Sequence, residues 1–263
     1  MNFPIPPSLK NYIGNKAAGG VCRTILNCVP KHDIRFEGFL GSGIISSMLG
    51  KCERIFGSDV DAIVCSQWIN EMPWKSEFDW IEVENKDWWD AFNYFTFTSA
   101  GKARYPGKKI FVFLDPPYLK TTRHDKYDLY NHDWEEKDHA EFLNTVAVRF
   151  NPKNFQNIYC MISHPPCKMY DEMLDGWFRV YYDAPTHGGP KRECLYMNYD
   201  FGKIELHTYQ YWGDKYVKRQ AFARKYARWF NKFRSLPYHE RKALMRMLNE
   251  VDEELSNKKI EVK

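Results

Sequence analysis

Four short runs rich in Phe and Ile, at residues 36–40, 54–59, 110–114 and 158–162, are ended by Gly41, by Asp59, by Asp115 and by Ser163-His-Pro-Pro166. Runs of this length and composition predict buried strands. Between them the spacing of apolar positions becomes helical. Residues 17–29 read as a helix ended by Pro30, 44–49 as a helix start and 62–71 as a further helix. In 134–150, Phe142, Val146 and Phe150 recur every fourth position and mark a core face. A third strand is expected from Asp79 to about Asn85–Asp87, and 178–182 with 193–199 predict a closing antiparallel pair around Pro185–Pro190. Strands alternating with helices predict an α/β fold with a mostly parallel sheet and helices on both faces.

The last quarter of the chain departs from this pattern. From Trp212 to Leu236 there are eight Lys or Arg against the single acid Asp214, a local charge of +7 in a chain whose net charge is +4. Phe222, Tyr226, Trp229, Phe230 and Phe233 share one helical face, so the helix is expected to dock by that stripe and expose a basic side suited to phosphates. Pro237 breaks it, and Tyr238–Ser256 predicts a second, mixed-charge helix. The expected division is a catalytic domain over 1–210 and a basic helical extension over 211–263.

Composition narrows the class. A chain of 263 residues with 44% hydrophobic and 27% charged positions is long enough for a sizeable core. Aromatics reach 17% and serve either the core or base stacking. Seven scattered cysteines without a Cys-x-x-Cys pair imply reduced thiols and no zinc site. Neither a membrane-length apolar run nor a signal core is present, so the expected location is cytoplasmic.

The candidate chemistry centres on Asp115-Pro116-Pro117-Tyr118. Asp115 falls at the carboxyl end of a buried strand, the edge where open α/β sheets bind ligands. Its carboxylate and the Pro116 carbonyl can each accept one hydrogen of an exocyclic amine, while the Tyr118 ring stacks on the heterocycle. A second element is the turn Gly41-Ser-Gly43, whose glycines would let the backbone approach a ligand ahead of a helix start. Asp59 ends the next strand and suits ribose hydroxyls, with Asp61 as a nearby competitor. Asp87 reads either as a partner for a cofactor's adenine amino group or as a surface-turn acid. His164 is better read as a structural strand-end histidine than as a base.

In their order, Tyr12-Ile-Gly14-Asn-Lys16, Glu37-Gly-Phe39-Leu-Gly41-Ser-Gly43, Asp59 and Asp115-Pro-Pro-Tyr118 resemble the D12, or Dam-type, class of DNA adenine-N6 methyltransferases. The resemblance covers residues 10 to about 200. It implies a Rossmann-like class I methyltransferase fold, S-adenosylmethionine as cofactor and double-stranded DNA as partner, without metal. Asp115, Pro116, Pro117 and Tyr118 would grip the target adenine. The glycine turn, Glu37, Phe39 and Asp59 would hold the cofactor, with Tyr12, Gly14 and Lys16 by its methionine end and Asp87 by its adenine. Lys191–Tyr199 is similar to a late strand of the family and reads as scaffold. One departure stands out: the family's recognition insert is reduced to about 25 residues, roughly Trp89–Lys109.

Nucleic-acid contacts are expected from Lys120, Arg123, Lys126 and Tyr127 on the loop after the catalytic strand, and from Lys218, Arg219, Arg224, Lys225 and Arg228 on the basic helix. Two alternatives stay open, an RNA adenine-N6 methyltransferase and a non-catalytic nucleic-acid-binding protein that keeps the fold. An Asp115 buried in an ion pair away from the cleft of Gly41 and Gly43 would remove the enzymatic reading.

Overall fold

In the computed structural model, residues 3–12, 14–17, 20–72, 80–123, 132–151, 157–186, 189–209, 212–213 and 216–261 are described. The chain divides into two compact units, Met1–Tyr209 and Gln210–Lys263.

The first unit is built on strands β1 (Ile34–Glu37), β2 (Arg54–Asp59), β3 (Ile81–Asn85), β4 (Ile110–Leu114), β5 (Ile158–His164), β6 (Phe178–Thr186) and β7 (Gly189–Met197). They form one sheet in the order β3-β2-β1-β4-β5-β7-β6. β1 to β5 run parallel, and β7 enters antiparallel between β5 and β6. α1 (Val21–Leu26) precedes β1, and between the strands come α2 (Ile44–Leu49), α3 (Ala62–Asn70), α4 (Trp88–Thr96), α5 (Glu136–Arg149) and α6 (Lys168–Met173).

Side chains alternate across a strand, so each strand serves two cores. Ile34 and Phe36, Ile110, Val112 and Leu114, Cys160 and Ile162, and Cys194 and Tyr196 pack with α4, α5 and α6 on one face. On the other face Ile55 packs with Val64 and Trp68 of α3, together with Phe3 and Leu9 from the N-terminal arm. β4 is buried at every position, as a central strand flanked on both faces must be.

Arg35, fully buried, donates from Nη1 to the carbonyls of Ser46 (2.8 Å) and Gly50 (3.1 Å), and so closes the carboxyl end of α2. His32 Nε2 accepts from the same guanidinium, and burial holds that imidazole well below its ordinary pKa, which keeps it an acceptor.

Two differences from the sequence reading bear on function. The first part of the stretch available for a recognition insert is a crossover helix: Trp88, Ala91, Phe92 and Phe95 of α4 lie in the core, which leaves residues 97–109 or another part of the chain for that role. The first helix is also shorter than 17–29, because Gly20 adopts a left-handed φ of 82° and α1 begins only at Val21.

The second unit consists of α7 (Tyr216–Ser235) and α8 (Tyr238–Glu261), separated by Leu236 and Pro237. The aromatic stripe of α7 is not covered: Tyr226, Trp229 and Phe230 are 40%, 45% and 54% exposed. The expectation that α7 docks by this stripe is therefore corrected. It rested on helical periodicity, which places apolar residues on one face without specifying a partner for it.

Among the described residues no helix is long and apolar enough to cross a membrane, and no group of three His, Cys, Asp or Glu side chains could hold a metal.

Candidate active site

Strand order reverses between β1 and β4, and loops leaving adjacent strands in opposite directions at such a point leave a crevice at their carboxyl ends. Here the crevice is an open cleft. Asp115, Pro116, Pro117 and Tyr118 line it from the end of β4. Glu37, Phe39, Gly41 and Gly43 line it from the end of β1, and Tyr12, Gly14, Lys16, Asp59 and Asp87 complete the set expected from sequence.

Asp115 lines this cleft beside Lys16. Its Oδ2 lies 2.9 Å from Lys16 Nζ, with the aspartate side chain 17% exposed. Its Oδ1 is buried and has no hydrogen-bond partner among the described residues. Burial raises the carboxyl to about 6, with Lys16 pulling it back down and Glu193 pushing it up. Asp115 does sit in an ion pair, but the pair faces the same cleft as Gly41 and Gly43.

Lys16 Nζ also donates to the Tyr118 hydroxyl at 2.6 Å, and that hydroxyl donates to Glu193 Oε2 at 2.6 Å. Burial pushes the Tyr118 hydroxyl far above its ordinary pKa, so it stays a donor. The ammonium groups of Lys16 and Lys191 stand 4.8 and 5.1 Å from its ring centroid. Lys16, expected beside a cofactor, thus joins Asp115 and Tyr118.

Glu193 ties β7, read as scaffold from sequence, to the candidate site. It is 4% exposed and accepts from the Tyr118 hydroxyl without itself lining the cleft. A signal was present in the sequence, since an acid at an inward position of a buried strand needs a polar partner. His164 is structural, as expected: its Nε2 accepts from Leu119 N at 3.0 Å and its ring stacks on Tyr170.

The glycine turn is demanded by packing as much as by any ligand. A Cβ on Gly41 would lie 2.8 Å from the Tyr12 ring, one on Gly43 would run into the Trp68 ring, and both residues have positive φ, 45° and 61°. Asp59 Oδ2 accepts from Gly41 N at 2.9 Å and its Oδ1 from Asp61 N at 3.0 Å. Each oxygen keeps a lone pair for a further donor. Asp87 caps α4 by accepting from Trp89 N at 2.8 Å. Glu37 Oε2 accepts from Ser46 N at 3.3 Å, and burial raises its carboxyl to about 7. Asp61, weighed from sequence as a competitor of Asp59, also lines the cleft, as do His132 and Trp134, which were not singled out, and Asn15.

Five parallel strands with the reversal beside β1, and an antiparallel β7 inserted between β5 and β6, settle the architecture. This is a Rossmann-like class I methyltransferase fold. No family model matches the chain, and no curated protein matches its sequence. Among solved structures, the catalytic domain of human METTL16 in complex with a MAT2A 3′UTR hairpin aligns with a TM-score of 0.42 at 11% identity. That alignment covers 66% of this chain and 66% of that one. A Pyrococcus horikoshii protein assigned as an RNA methyltransferase aligns at 0.39 and 12% identity over 75% and 91% of the two chains. A precorrin 8W decarboxylase from Methanobacterium thermoautotrophicum aligns at 0.42 and 11% identity over 75% and 100%. None of these likenesses carries a reaction over to this chain.

Beyond the cleft, the expected nucleic-acid contacts separate. Arg123 is removed from that role because it forms a two-pronged pair with Asp133 (2.7 and 2.5 Å) whose side chains are 3% and 4% exposed. A guanidinium committed in this way fastens the two ends of the loop and cannot reach a phosphate. Lys120 pairs with Glu135 at 2.6 Å but stays partly exposed. Lys126 and Tyr127 lie outside the described residues. On α7, Lys218, Arg224, Lys225 and Arg228 are exposed, whereas Arg219 is half-buried and donates to the Gly213 carbonyl.

Proposed function

We propose that the chain transfers a methyl group from S-adenosylmethionine to the N6 amino group of an adenine in nucleic acid, held out of its stack. The observation that carries this reading is Asp115, a residue of the cleft that also holds Asp59 and the glycine turn, whose buried Oδ1 is an acceptor without a donor. A planar amine would satisfy that oxygen with one hydrogen and the Pro116 carbonyl with the other. Both bonds favour a pyramidal nitrogen and localise a lone pair otherwise delocalised into the ring. The Tyr118 ring, anchored through its hydroxyl, offers the stacking surface.

The residues present fit the proposed cofactor. Asp59 offers acceptors for ribose hydroxyls, Asp87 an acceptor for its adenine, and Tyr12 and Phe39 apolar walls. When bound, S-adenosylmethionine supplies an electrophilic methyl group on a sulfonium sulfur. The chain's own contribution is to align the two reactants and exclude water, which in well-oriented systems supplies ~7–11 kcal/mol. Lys16 holds the other carboxylate oxygen, Oδ2, and leaves Oδ1 for the amine.

The order of the motifs favours DNA as the substrate. RNA is the second reading, favoured by α4: residues 88–96 build the core instead of a base-reading insert. Single-stranded RNA loops present adenines already unstacked. The basic side of α7, with Arg224 and Arg228 exposed, is proposed as the phosphate contact in either case.

Incorporation of labelled methyl groups into duplex DNA and structured RNA tests the proposal and chooses between its arms. Asp115→Ala is expected to abolish incorporation while cofactor binding, measured by calorimetry, persists. Cofactor binding without transfer to either polymer would leave a nucleic-acid-binding protein; no cofactor binding at all would defeat the reading.

A further inference from the structure

α7 carries Phe222, Tyr226, Trp229 and Phe233 at intervals of four, three and four residues, and α8 carries Leu244, Leu248, Val251 and Leu255 at the same intervals. This is the spacing of a coiled-coil seam. Neither helix covers the other along its length: Trp229 of α7 is 45% exposed, and Leu248, Val251 and Leu255 of α8 are 48%, 46% and 54% exposed. Two helices of 20 and 24 residues with open seams are not at rest in water.

The two stripes are complementary, one aromatic and one aliphatic. A single antiparallel register sets Phe222 against Leu255, Tyr226 against Val251, Trp229 against Leu248 and Phe233 against Leu244. In an antiparallel pair the flanking positions before each seam residue face one another, as do those after it. That register therefore brings Lys225 beside Glu254 and Phe230 beside Met245. It accounts for two further apolar side chains that are otherwise 54% and 51% exposed. Charge points the same way, since α7 has seven Lys or Arg and no acid, while α8 carries Glu250, Asp252, Glu253 and Glu254 in one turn and a half. Pairing α7 with α7 would instead set lysine against lysine.

The partner follows from the connection. Closing α7 on α8 within one chain in this register opposes Leu236 to Arg241, so residues 237–240 must reverse direction. Residues 238–240 are already the first turn of α8. Two copies meet the same register with both helices at full length, and the two-fold axis then falls between Tyr238 and His239, at the start of α8.

We propose that residues 216–255 form a self-association module in which α7 of one copy packs antiparallel on α8 of a second copy. The contact is self-complementary and uses both stripes of each chain. Arg224 and Arg228 lie off the seam and stay available to phosphate.

Sedimentation equilibrium of the full chain, without nucleic acid, is expected to show a dimer. Lys225→Glu should weaken it by about tenfold through its two symmetry-related pairs, and adding Glu254→Lys should restore most of the loss. Oxidising a Trp229→Cys/Leu248→Cys double variant should yield a crosslinked species of twice the chain mass that the parent chain does not form. A monomer at every concentration, with helicity retained by circular dichroism, overturns the proposal. So does a crosslink confined to single chains, or association that appears only when nucleic acid is added.

Discussion

Removing the Lys16 ammonium while keeping its stem, as in Lys16→Met, tests whether that side chain sets the charge state of Asp115. Asp115 has its folded midpoint at about 6 against an ordinary value of 3.8. Its ionisation is therefore made harder by about 3 kcal/mol, even with an ammonium 2.9 Å away. A neighbouring opposite charge moves a carboxyl midpoint by ~1–3 on the pH scale. Without it, the acid limb of kcat/KM for methyl transfer should move upward by that amount, because kcat/KM reports the free enzyme. Activity at pH 6 should then fall by about tenfold or more relative to the alkaline plateau. Carboxyl carbon NMR of the ligand-free variant should show the same upward displacement and reads the electrostatics without turnover. The sign for stability follows. A folded midpoint above the unfolded one means that Asp115 favours the fold below its ordinary value, and that contribution is lost as pH rises through about 6. A titration midpoint that stays in place or moves down in Lys16→Met would refute the reasoning.

Glu193→Gln replaces a charge-assisted bond to Tyr118 with a neutral one, and kcat/KM for methyl transfer should fall about 10–100-fold with cofactor affinity unchanged; an unchanged rate would return Glu193 to the scaffold. Gly41→Ala forces a methyl group against the Tyr12 ring at positive φ, and urea unfolding should show a loss of ~1–3 kcal/mol together with weaker cofactor binding. Arg35→Met strips buried carbonyls at the end of α2 of their donor, at an expected cost of ~2–4 kcal/mol in the same assay. Its cofactor affinity should change only as far as the turn between β1 and α2 loosens.

The strand-end motifs were legible because their chemistry is local. A buried run stopped by Asp-Pro-Pro, or a glycine turn between a strand and a helix, fixes its own backbone and so announces where its polar end must point. The alternation of strands and helices likewise fixed the α/β class, and a right-handed crossover rule leaves few sheets to choose from. What only the tertiary structure decided was partnership. Glu193 is 75 residues from Tyr118 in the chain, and their bond exists because β7 inserts beside β5. Lys16 looked like a cofactor ligand and Arg123 like a phosphate ligand, yet each has a carboxylate partner that the fold brings within 3 Å. The aromatic face of α7 was visible in sequence, but whether anything covers it was not. Periodicity is a property of one helix, whereas burial and ion pairing belong to two elements at once and depend on distances that only the folded chain sets.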